Sequence, residues 1–347
     1  MHTIDLKKIS DSISQKLGEP IHCVLIETIG SGFHATGYKL TTDDGRAFFV
    51  KKVTVDRIGF EYPERKLSAL LVGHGMAQRA GSRPQPIALI VENGEETTLM
   101  PEISLDTNMY HIQEYEPDGA NYFTILSERT DKTAVDERDR IETENIVETI
   151  ARIHAIHFPV TDDARQKAVY MDSLRGELTH PELTLTFLHE FEESHPVLPP
   201  SKQGAFIATY LQLIHEWKNR FDRLRALHGD LWGANVLLRK DGTAWAIDYS
   251  RIPWGDPGID IGRWMGQYVW LYLVTKNTYY RDLGELFLKT YIKKTGDTEI
   301  RSALSLGYIF PTIVYASFFE DADLAVRKQM FEHGCEILRR GEFFWPE

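Results

Sequence analysis

The residues best suited to chemistry lie in HGDLWGAN, residues 228–235, and in AID, residues 246–248. Phosphoryl transfer needs a carboxylate near the attacking hydroxyl and oxygen ligands for magnesium. Asp230 can accept or orient the hydroxyl proton, Asn235 can offer a neutral oxygen to the metal, and Asp248 can offer a charged one. A Lys-Asp-Gly turn between them predicts a hairpin that brings Asp248 back beside the loop. The stretch therefore indicates phosphoryl transfer.

These motifs resemble those of a known superfamily. HGDLWGAN resembles the HGD-x-x-x-x-N catalytic loop of the aminoglycoside phosphotransferase and choline kinase superfamily, and its HGDLW is similar to the loop of the fructosamine kinases. The following IDYSRIPWGDPGIDIG resembles more closely the aminoglycoside phosphotransferases and methylthioribose kinases. The motifs follow the order of that superfamily between residues 30 and 265. The resemblance implies an α+β, two-lobed protein-kinase-like fold.

The same resemblance implies a role for each matching residue. Asp230 is expected to be the catalytic aspartate, and Asn235 and Asp248 are expected to be the magnesium ligands. His228 is expected to brace the loop, and Asp260 to bond the loop backbone from the following helix. Both are therefore structural supports in this interpretation.

A glycine-rich segment is the candidate for the phosphate end of a nucleotide. Gly30, Ser31 and Gly32 begin the run GSGFHATG, which lies between two strand-like runs. That placement suits a hairpin whose backbone N–H groups lie near phosphate oxygens. No helix follows it, so the dinucleotide-binding fingerprint is excluded. An ordinary hairpin turn fits the run equally well.

A cation on the return strand would hold the phosphates. The run FFVK ends at Lys51 and resembles the V-F-V-K-type strand of the fructosamine kinases. Lys52 would point to the opposite face of a regular strand, so Lys51 is preferred. Glu64, early in the next helix, is the expected carboxylate partner, and Glu61 is its rival. Pro63 suits the first turn of a helix that contains Glu64.

The segment IQEYEPDG, residues 112–119, is similar to the family's interlobe hinge. By the family pattern, adenine would bind the carbonyl of Glu114 and the N–H of Glu116. The run IARIHAIHFP resembles the first large C-lobe helix of the family. Its His154 is expected to be a packed helix residue.

The sequence favours a small-molecule acceptor over a protein. Trp232 stands where protein kinases carry a lysine, and Asp248 is not followed by Phe-Gly. Only 12 positions separate Asp248 from Asp260, which leaves little chain for a peptide platform. Asp256 is expected to be a turn residue rather than a substrate contact, because Asp-Pro-Gly is turn chemistry. Candidate acceptor-lining residues, with core packing and a solvated helix face as the alternative, are Trp254, Trp264, Tyr268, Trp270, Tyr272, Glu320, Asp321 and Asp323.

Two regions of different character must position these residues. Strand-like runs dominate the first third, at residues 22–30, 37–40, 47–53, 86–91, 97–103 and 110–114, with helices over the first 20 residues and over 64–73. Helical periodicity dominates afterwards, over residues 143–157, 206–227, 259–276 and 281–294. We therefore expect an N-terminal nucleotide-binding lobe over residues 1–116, with an antiparallel sheet. A mainly helical C-terminal lobe over residues 117–347 would carry the catalytic loop, metal and acceptor sites.

Composition excludes several functional classes. The chain has 347 residues and a formal net charge of −12, which gives no reason to expect nucleic-acid binding and could favour a cationic acceptor. Its 2 cysteines suit neither a disulfide framework nor a cysteine metal cluster. We found no secretory signal pattern at the N-terminus and no membrane-length apolar run. The expectation is a cytoplasmic protein with no membrane partner.

Together these features predict an ATP- and Mg²⁺-dependent kinase that phosphorylates a hydroxyl of a small, cationic or sugar-derived acceptor. A ketosamine kinase is the alternative that HGDLW suggests. A non-catalytic nucleotide-binding scaffold is the alternative of another class, and the presence of Lys51, Glu64, Asp230, Asn235 and Asp248 argues against it. The acceptor, the choice between ATP and GTP, and the oligomeric state stay open at this level.

Overall fold

The computed structural model describes residues 6–31, 35–53, 63–81, 84–92, 108–178, 193–249, 251, 253–317, 319 and 321–347. The chain divides into two compact units. The first comprises Met1–Asp118 and Tyr249–Arg251, and the second comprises Gly119–Asp248 and Ile252–Glu347.

The first unit is built on a five-stranded antiparallel sheet with the strand order β1-β2-β3-β5-β4. Its strands are β1 (Cys23–Ser31), β2 (Ala35–Thr42), β3 (Ala47–Val53), β4 (Pro86–Glu92) and β5 (Asn108–Glu114), and its helices are α1 (Leu6–Leu17) and α2 (Pro63–Arg79). The antiparallel sheet is confirmed, and β3 has the predicted bounds. The predicted strand over residues 97–103 lies outside the described residues.

Each face of this sheet carries one helix. Ile9 and Ile13 of α1 are buried in a cluster with Phe48 and Val50 of β3. On the other face, Leu70 of α2 packs with Val53. Alternation along β3 therefore assigns even-numbered residues up to 52 to the α1 face and odd-numbered residues to the α2 face.

Helix α2 extends beyond its predicted end at Gly73 and continues to Arg79. A Cβ atom on Gly73 would lie 1.9 Å from the carbonyl oxygen of Tyr249, in the same unit. The glycine therefore allows a close approach of two backbones instead of ending the helix. Sequence alone offers no distinction between these two uses of glycine.

The second unit is mainly helical, as predicted. Its helices are α3 (Tyr122–Ser127), α4 (Glu137–His154), α5 (Asp163–Leu178), α6 (Pro200–Trp217), α7 (Pro257–Thr275), α8 (Thr278–Thr295), α9 (Ile300–Ala303), α10 (Ile309–Ser317) and α11 (Leu324–Arg340). Its short strands are β6 (Ala120–Asn121), β7 (Arg225–Ala226), β8 (Val236–Leu238), β9 (Ala244–Ala246) and β10 (Trp254–Gly255). Across the helices that the structure describes, none is both long and apolar enough to cross a membrane.

One predicted helix is too long. The prediction continued the helix over residues 206–227, whereas α6 ends at Trp217. Arg225 and Ala226 instead pair with Gly255 and Trp254 as β7 and β10. Pairing with a distant segment overrides local helical preference here.

Helix α7 is the central element of this unit, and sixteen of its nineteen residues are buried. Trp264 stacks on Tyr122 with ring centroids 5.5 Å apart, and on Phe287 at 5.4 Å. Tyr268 and Trp270 are buried in the same core. These three predicted acceptor-lining residues are therefore core residues, which was the weighed alternative.

The other acceptor candidates have different surroundings. Trp254 and Tyr272 are half-buried against the core. Asp323 accepts a hydrogen bond from the N–H of Ala325 and caps α11, and Asp321 is exposed. Glu320 lies outside the described residues.

A buried histidine in α11 makes the stability of this unit depend on pH. His333 Nε2 donates to the carbonyl of Phe344 at 2.9 Å, so Nδ1 is the acceptor on the side of the Tyr308 hydroxyl. Burial is the largest cause that lowers the pKa of His333 from 6.5 to about 4. The folded protein therefore binds fewer protons than the unfolded chain between these two values, and its stability rises with pH there.

As the pH falls from 7 to 5, we expect the titration of His333 to lower the free energy of unfolding by about 2 kcal/mol. His333→Gln retains an N–H for the Phe344 carbonyl but cannot titrate. The free energy of unfolding, measured with urea at several pH values, should therefore change less steeply with pH in this variant than in the wild type. Equal slopes for variant and wild type between pH 7 and pH 5 would contradict the assignment.

Candidate active site

The loop 228–235 is anchored by a carboxylate from the first turn of α7. Asp256 caps this helix by accepting a hydrogen bond from Gly258 N–H at 2.8 Å, and Pro257 occupies its first turn. Asp260 thus lies where the helix dipole favours negative charge. Its Oδ2 accepts from the N–H of His228 at 2.7 Å, and its Oδ1 accepts from that of Gly229 at 2.9 Å.

Asp260 is fully buried and is also bound by His154. His154 Nε2 lies 3.1 Å from Asp260 Oδ2, and its Nδ1 lies 2.7 Å from the Tyr291 hydroxyl. Burial by itself would raise the pKa of Asp260, but the hydrogen bond and charge of His154 and the backbone N–H of His228 hold it below the ordinary value. His154, predicted to be a packed helix residue, is 5% exposed.

Asp256 is likewise structural, as the turn interpretation predicted. It is fully buried, and its two oxygens accept from Arg223 Nε at 2.8 Å and Nη2 at 3.1 Å. The Tyr170 hydroxyl donates to it at 2.8 Å. These contacts and the cap of α7 occupy the carboxylate.

His228 is bound at both ring nitrogens. Its Nε2 lies 2.7 Å from the carbonyl of Ile247, which can only accept, so Nε2 carries the proton. Its Nδ1 then accepts from the N–H of Asp230 at 3.3 Å. Gly229 between them has φ of 80°, a conformation that favours glycine. This is the geometry that a bracing residue requires.

Asp230 and Asn235 are brought together by this loop. Asn235 Nδ2 donates to the Asp230 carbonyl at 2.8 Å and to its Oδ2 at 3.0 Å. These bonds fix the orientation of the amide, whose Oδ1 is left as the atom that can face a metal. The two residues are 8% and 9% exposed, respectively.

The β8–β9 hairpin returns Asp248 to Asn235, as the turn signal predicted. Val236 pairs with Ala246, and the N–H of Ile247 donates to the Asn235 carbonyl at 2.9 Å. Asp248 follows directly and has φ of 64°. An amide oxygen and a carboxylate are ligands that suit Mg²⁺, so the donor set fits this metal.

The second half of the loop is held by α7 and α3. The N–H of Gly233 donates to Gln267 Oε1 at 2.8 Å. Phe123 and Trp232 have ring centroids 5.7 Å apart. A Cβ atom on Gly233 would lie 2.8 Å from the backbone nitrogen of Phe123, so this position favours a glycine. The Trp232 ring of the loop therefore packs next to Phe123 of α3.

A buried ion pair beside Asp230 was missing from the sequence interpretation. Arg263 Nη2 donates to the two oxygens of Glu177 at 2.7 and 2.9 Å. Arg263 Nη1 donates to the carbonyl of Gly229 and lies 3.6 Å from Asp230 Oδ1. The available signal was one arginine in the run GIDIGRWMGQYVWLYLV, which is mostly apolar and aromatic apart from Asp260 and Gln267. Its partner lies 86 residues away and has no local signature.

The predicted phosphate-binding residues lie in the first unit. Gly30 and Ser31 pair with Gly37 and Thr36 at the end of the β1–β2 hairpin. Gly32 lies outside the described residues. The segment therefore connects two strands, as predicted.

Lys51 and Lys52 lie on opposite faces of β3. Lys52 Nζ lies 5.8 Å from the ring centroid of Tyr110, a residue of the α1 face. Lys51 shares the α2 face with Val53. Glu64 is the second residue of α2, although its side chain is outside the described residues, as is Glu61. The strand face thus favours Lys51 as the partner of a residue on α2.

The two predicted hinge residues lie at the end of β5. Glu114 is its last residue and pairs with Phe48 of β3. Its Oε2 accepts from the N–H of Gln85 at 2.9 Å. Glu116 follows the strand, and its Oε1 accepts from the N–H of Asp118 at 2.9 Å.

Comparison with known proteins shows the family of this chain. A family model described as "Phosphotransferase enzyme family" matches residues 25–304. No curated protein is similar enough in sequence to count as a match.

Solved structures with similar folds include three small-molecule kinases. An ethanolamine kinase from Plasmodium vivax has a TM-score of 0.56 at 11% identity, with 91% of this chain and 84% of that chain covered. A thermostable mutant of aminoglycoside phosphotransferase APH(4)-Ia with ADP and hygromycin B has 0.53 at 13%, covering 96% and 98%. An amicoumacin kinase with AMP-PNP and Ca²⁺ has 0.52 at 14%, covering 98% and 96%. At these identities the similarity shows the fold alone.

Proposed function

Because the chain belongs to the phosphotransferase enzyme family, we propose that it is a kinase that uses ATP and Mg²⁺ to phosphorylate a hydroxyl of a small molecule. The observation that carries the proposal is the arrangement of the loop 228–235, whose backbone is bound by Asp260. Asn235 binds the Asp230 carboxylate, and the backbone bond from Ile247 to Asn235 brings the chain at Asp248 close to both. ATP would supply the phosphoryl group, and magnesium would neutralise charge on its phosphates.

The residues of the second unit then have distinct roles. Asp230 accepts a hydrogen bond from the acceptor hydroxyl and orients it for in-line attack. Asn235 and Asp248 hold the metal through oxygen atoms. His228 and Asp260 keep the loop in place, since His228 Nδ1 accepts from the N–H of Asp230 and Asp260 accepts from the N–H groups of His228 and Gly229. Most of the catalytic effect in such a site comes from positioning and from charge stabilisation.

The first unit supplies the proposed nucleotide contacts. Lys51 binds phosphate oxygens and is oriented by Glu64, which the shared face of β3 and α2 supports. The backbone of Gly30, Ser31 and Gly32 lies along the phosphates. The carbonyl of Glu114 and the N–H of Glu116 bind the adenine.

The acceptor is proposed to be a cationic or sugar-derived alcohol. The net charge of −12 favours a cationic ligand. The similar structures include an ethanolamine kinase and an aminoglycoside phosphotransferase solved with hygromycin B. A ketosamine is the second candidate, because HGDLW resembles the loop of the fructosamine kinases and its Trp232 packs next to Phe123.

The proposal is tested by ADP release with magnesium–ATP across separate pools of aminoglycosides, ketosamines, amino alcohols and thiopentoses. Asp230→Asn is the matched control, because it removes one charge at nearly constant volume. Release that requires one pool and disappears in the control establishes the kinase and its acceptor class. No release above the control from any pool, in protein that binds ATP, would favour the scaffold alternative.

Asp248 has a left-handed conformation that costs about 1 kcal/mol in a residue other than glycine. We therefore expect Asp248→Gly to raise the free energy of unfolding by about 1 kcal/mol and to abolish magnesium-dependent turnover. Chemical denaturation and the ADP assay measure the two effects on one sample.

Lys276→Gly is the matched control, since Lys276 has φ of 55° at the end of α7. It should gain similar stability and retain full turnover. An active Asp248→Gly variant would exclude Asp248 as a metal ligand.

A further inference from the structure

Arg263 is a buried cation that the resemblance to the family leaves without a role. It lies three residues after Asp260 on α7 and is 3% exposed. An isolated guanidinium would be costly at such a position, so its partners indicate why it is there. Those partners are the catalytic loop on one side and Glu177 of α5 on the other.

The contacts divide between the two ends of the guanidinium. Nη2 is occupied by the two oxygens of Glu177, a fully buried carboxylate. The guanidinium carbon lies 4.4 Å from the centroid of the Phe310 ring, which adds a cation–π contact. Glu177 and Phe310 therefore hold the planar group in one orientation, and this orientation directs Nη1 at the loop.

Nη1 contacts two oxygen atoms of the loop, one on Asp230 and one on the residue before it. It donates to the carbonyl of Gly229, the residue whose positive φ turns the chain into Asp230. It also lies 3.6 Å from Asp230 Oδ1. Asn235 binds the other oxygen, Oδ2, at 3.0 Å. The carboxylate thus has a hydrogen-bond donor at one oxygen and the positive charge of Arg263 near the other.

We propose that Arg263, oriented by Glu177, is a positioning residue that sets the conformation of the Asp230 carboxylate for catalysis. This inference rests on the proposed kinase function. A planar group held by two hydrogen bonds on one edge can fix a carboxylate through the other edge, which a flexible ammonium cannot do. A displacement of the reacting group by about 1 Å is enough to cost about 10²-fold in rate.

The test compares Arg263→Met and Arg263→Lys with Arg129→Met. Arg129 likewise forms ion pairs with buried carboxylates, those of Asp139 and Glu142, which are not part of the loop. We expect Arg263→Met to lower kcat about 10²-fold per folded molecule, with the KM for ATP unchanged. Arg263→Lys should lose about 10-fold, because it retains charge without the planar geometry. Arg129→Met should retain wild-type kcat per folded molecule while losing comparable stability.

Crystal structures of wild type and Arg263→Met provide a readout that is independent of activity. A displaced Asp230 carboxylate supports the proposal, and an unchanged carboxylate overturns it. Equal losses of kcat in Arg263→Met and Arg129→Met would overturn it as well. A wild type that binds ATP but transfers phosphate to none of the pools would favour the scaffold alternative over the proposed function, and the crystal structures would still decide whether Arg263 positions Asp230. If Arg263→Met does not fold, Arg263→Lys serves in both measurements.

Discussion

Asp230→Asn is expected to lower kcat about 10³-fold and to leave ATP binding within twofold of wild type, since a positioned acid–base group contributes about 10²- to 10⁴-fold. The asparagine can occupy the same volume, but its amide offers only one acceptor oxygen. In the wild type, Asn235 Nδ2 donates to Asp230 Oδ2 at 3.0 Å. In the variant, Asn235 and the hydroxyl of the acceptor molecule would both need the single amide oxygen of residue 230. The backbone bonds from Asp260 do not involve the altered side chain.

Steady-state ADP release and calorimetric titration with ATP measure the two quantities. Asp241→Asn is a matched control, because Asp241 is an exposed carboxylate in the nearby β8–β9 turn. It should have wild-type kcat. An Asp230→Asn enzyme with more than a tenth of wild-type turnover would rule out the proposed role of this residue.

Asp260→Asn is expected to lower the free energy of unfolding by about 3 kcal/mol, because removing one partner of a buried charged network costs about 3–5 kcal/mol. Its carboxylate accepts from two loop N–H groups and from His154. An amide would direct its own N–H groups at one of these donors. We also expect lower kcat in the folded variant, since the loop that carries Asp230 loses an anchor.

The pH dependence of this loss has a defined sign. The pKa of Asp260 is held below its ordinary value, so its contribution to stability is complete above about pH 4. The contribution is lost as the pH falls through the folded-state pKa. The difference in stability between wild type and Asp260→Asn should therefore be largest at neutral pH and decrease in acid.

Asp139→Asn is the matched control for Asp260. Asp139 is 1% exposed and accepts from Arg129 and the Tyr279 hydroxyl, each at 2.8 Å. Urea unfolding should show a similar loss of stability, while kcat per folded molecule stays at the wild-type value. Equal kcat losses for the two variants would mean that Asp260 has no specific connection with the catalytic loop.

Local pattern was sufficient for several elements of the fold. A strand-like run after an Asp-Gly turn predicted β3 with its observed bounds, Ala47–Val53. Helical periodicity predicted α7 over residues 259–276, close to its observed bounds, and the predicted Asp-Pro-Gly turn lies at its start, where Asp256 caps the helix and Pro257 fits the first turn. The predicted end of α2 was wrong, because Gly73 allows the helix backbone to approach that of Tyr249 closely, and this contact exists only in the folded chain.

The sequence by itself determined the group Asp230, Asn235 and Asp248, because one loop and one short hairpin join these residues within twenty positions. Only the tertiary structure decided which aromatic residues are core. Helix α7 is buried on nearly all sides, so the spacing of Trp264 and Tyr268 carried no information about exposure. Only the tertiary structure also joined Arg263 to Glu177 across 86 residues. Hairpins and caps follow from neighbouring residues, whereas the partner of a buried charge depends on how distant helices pack.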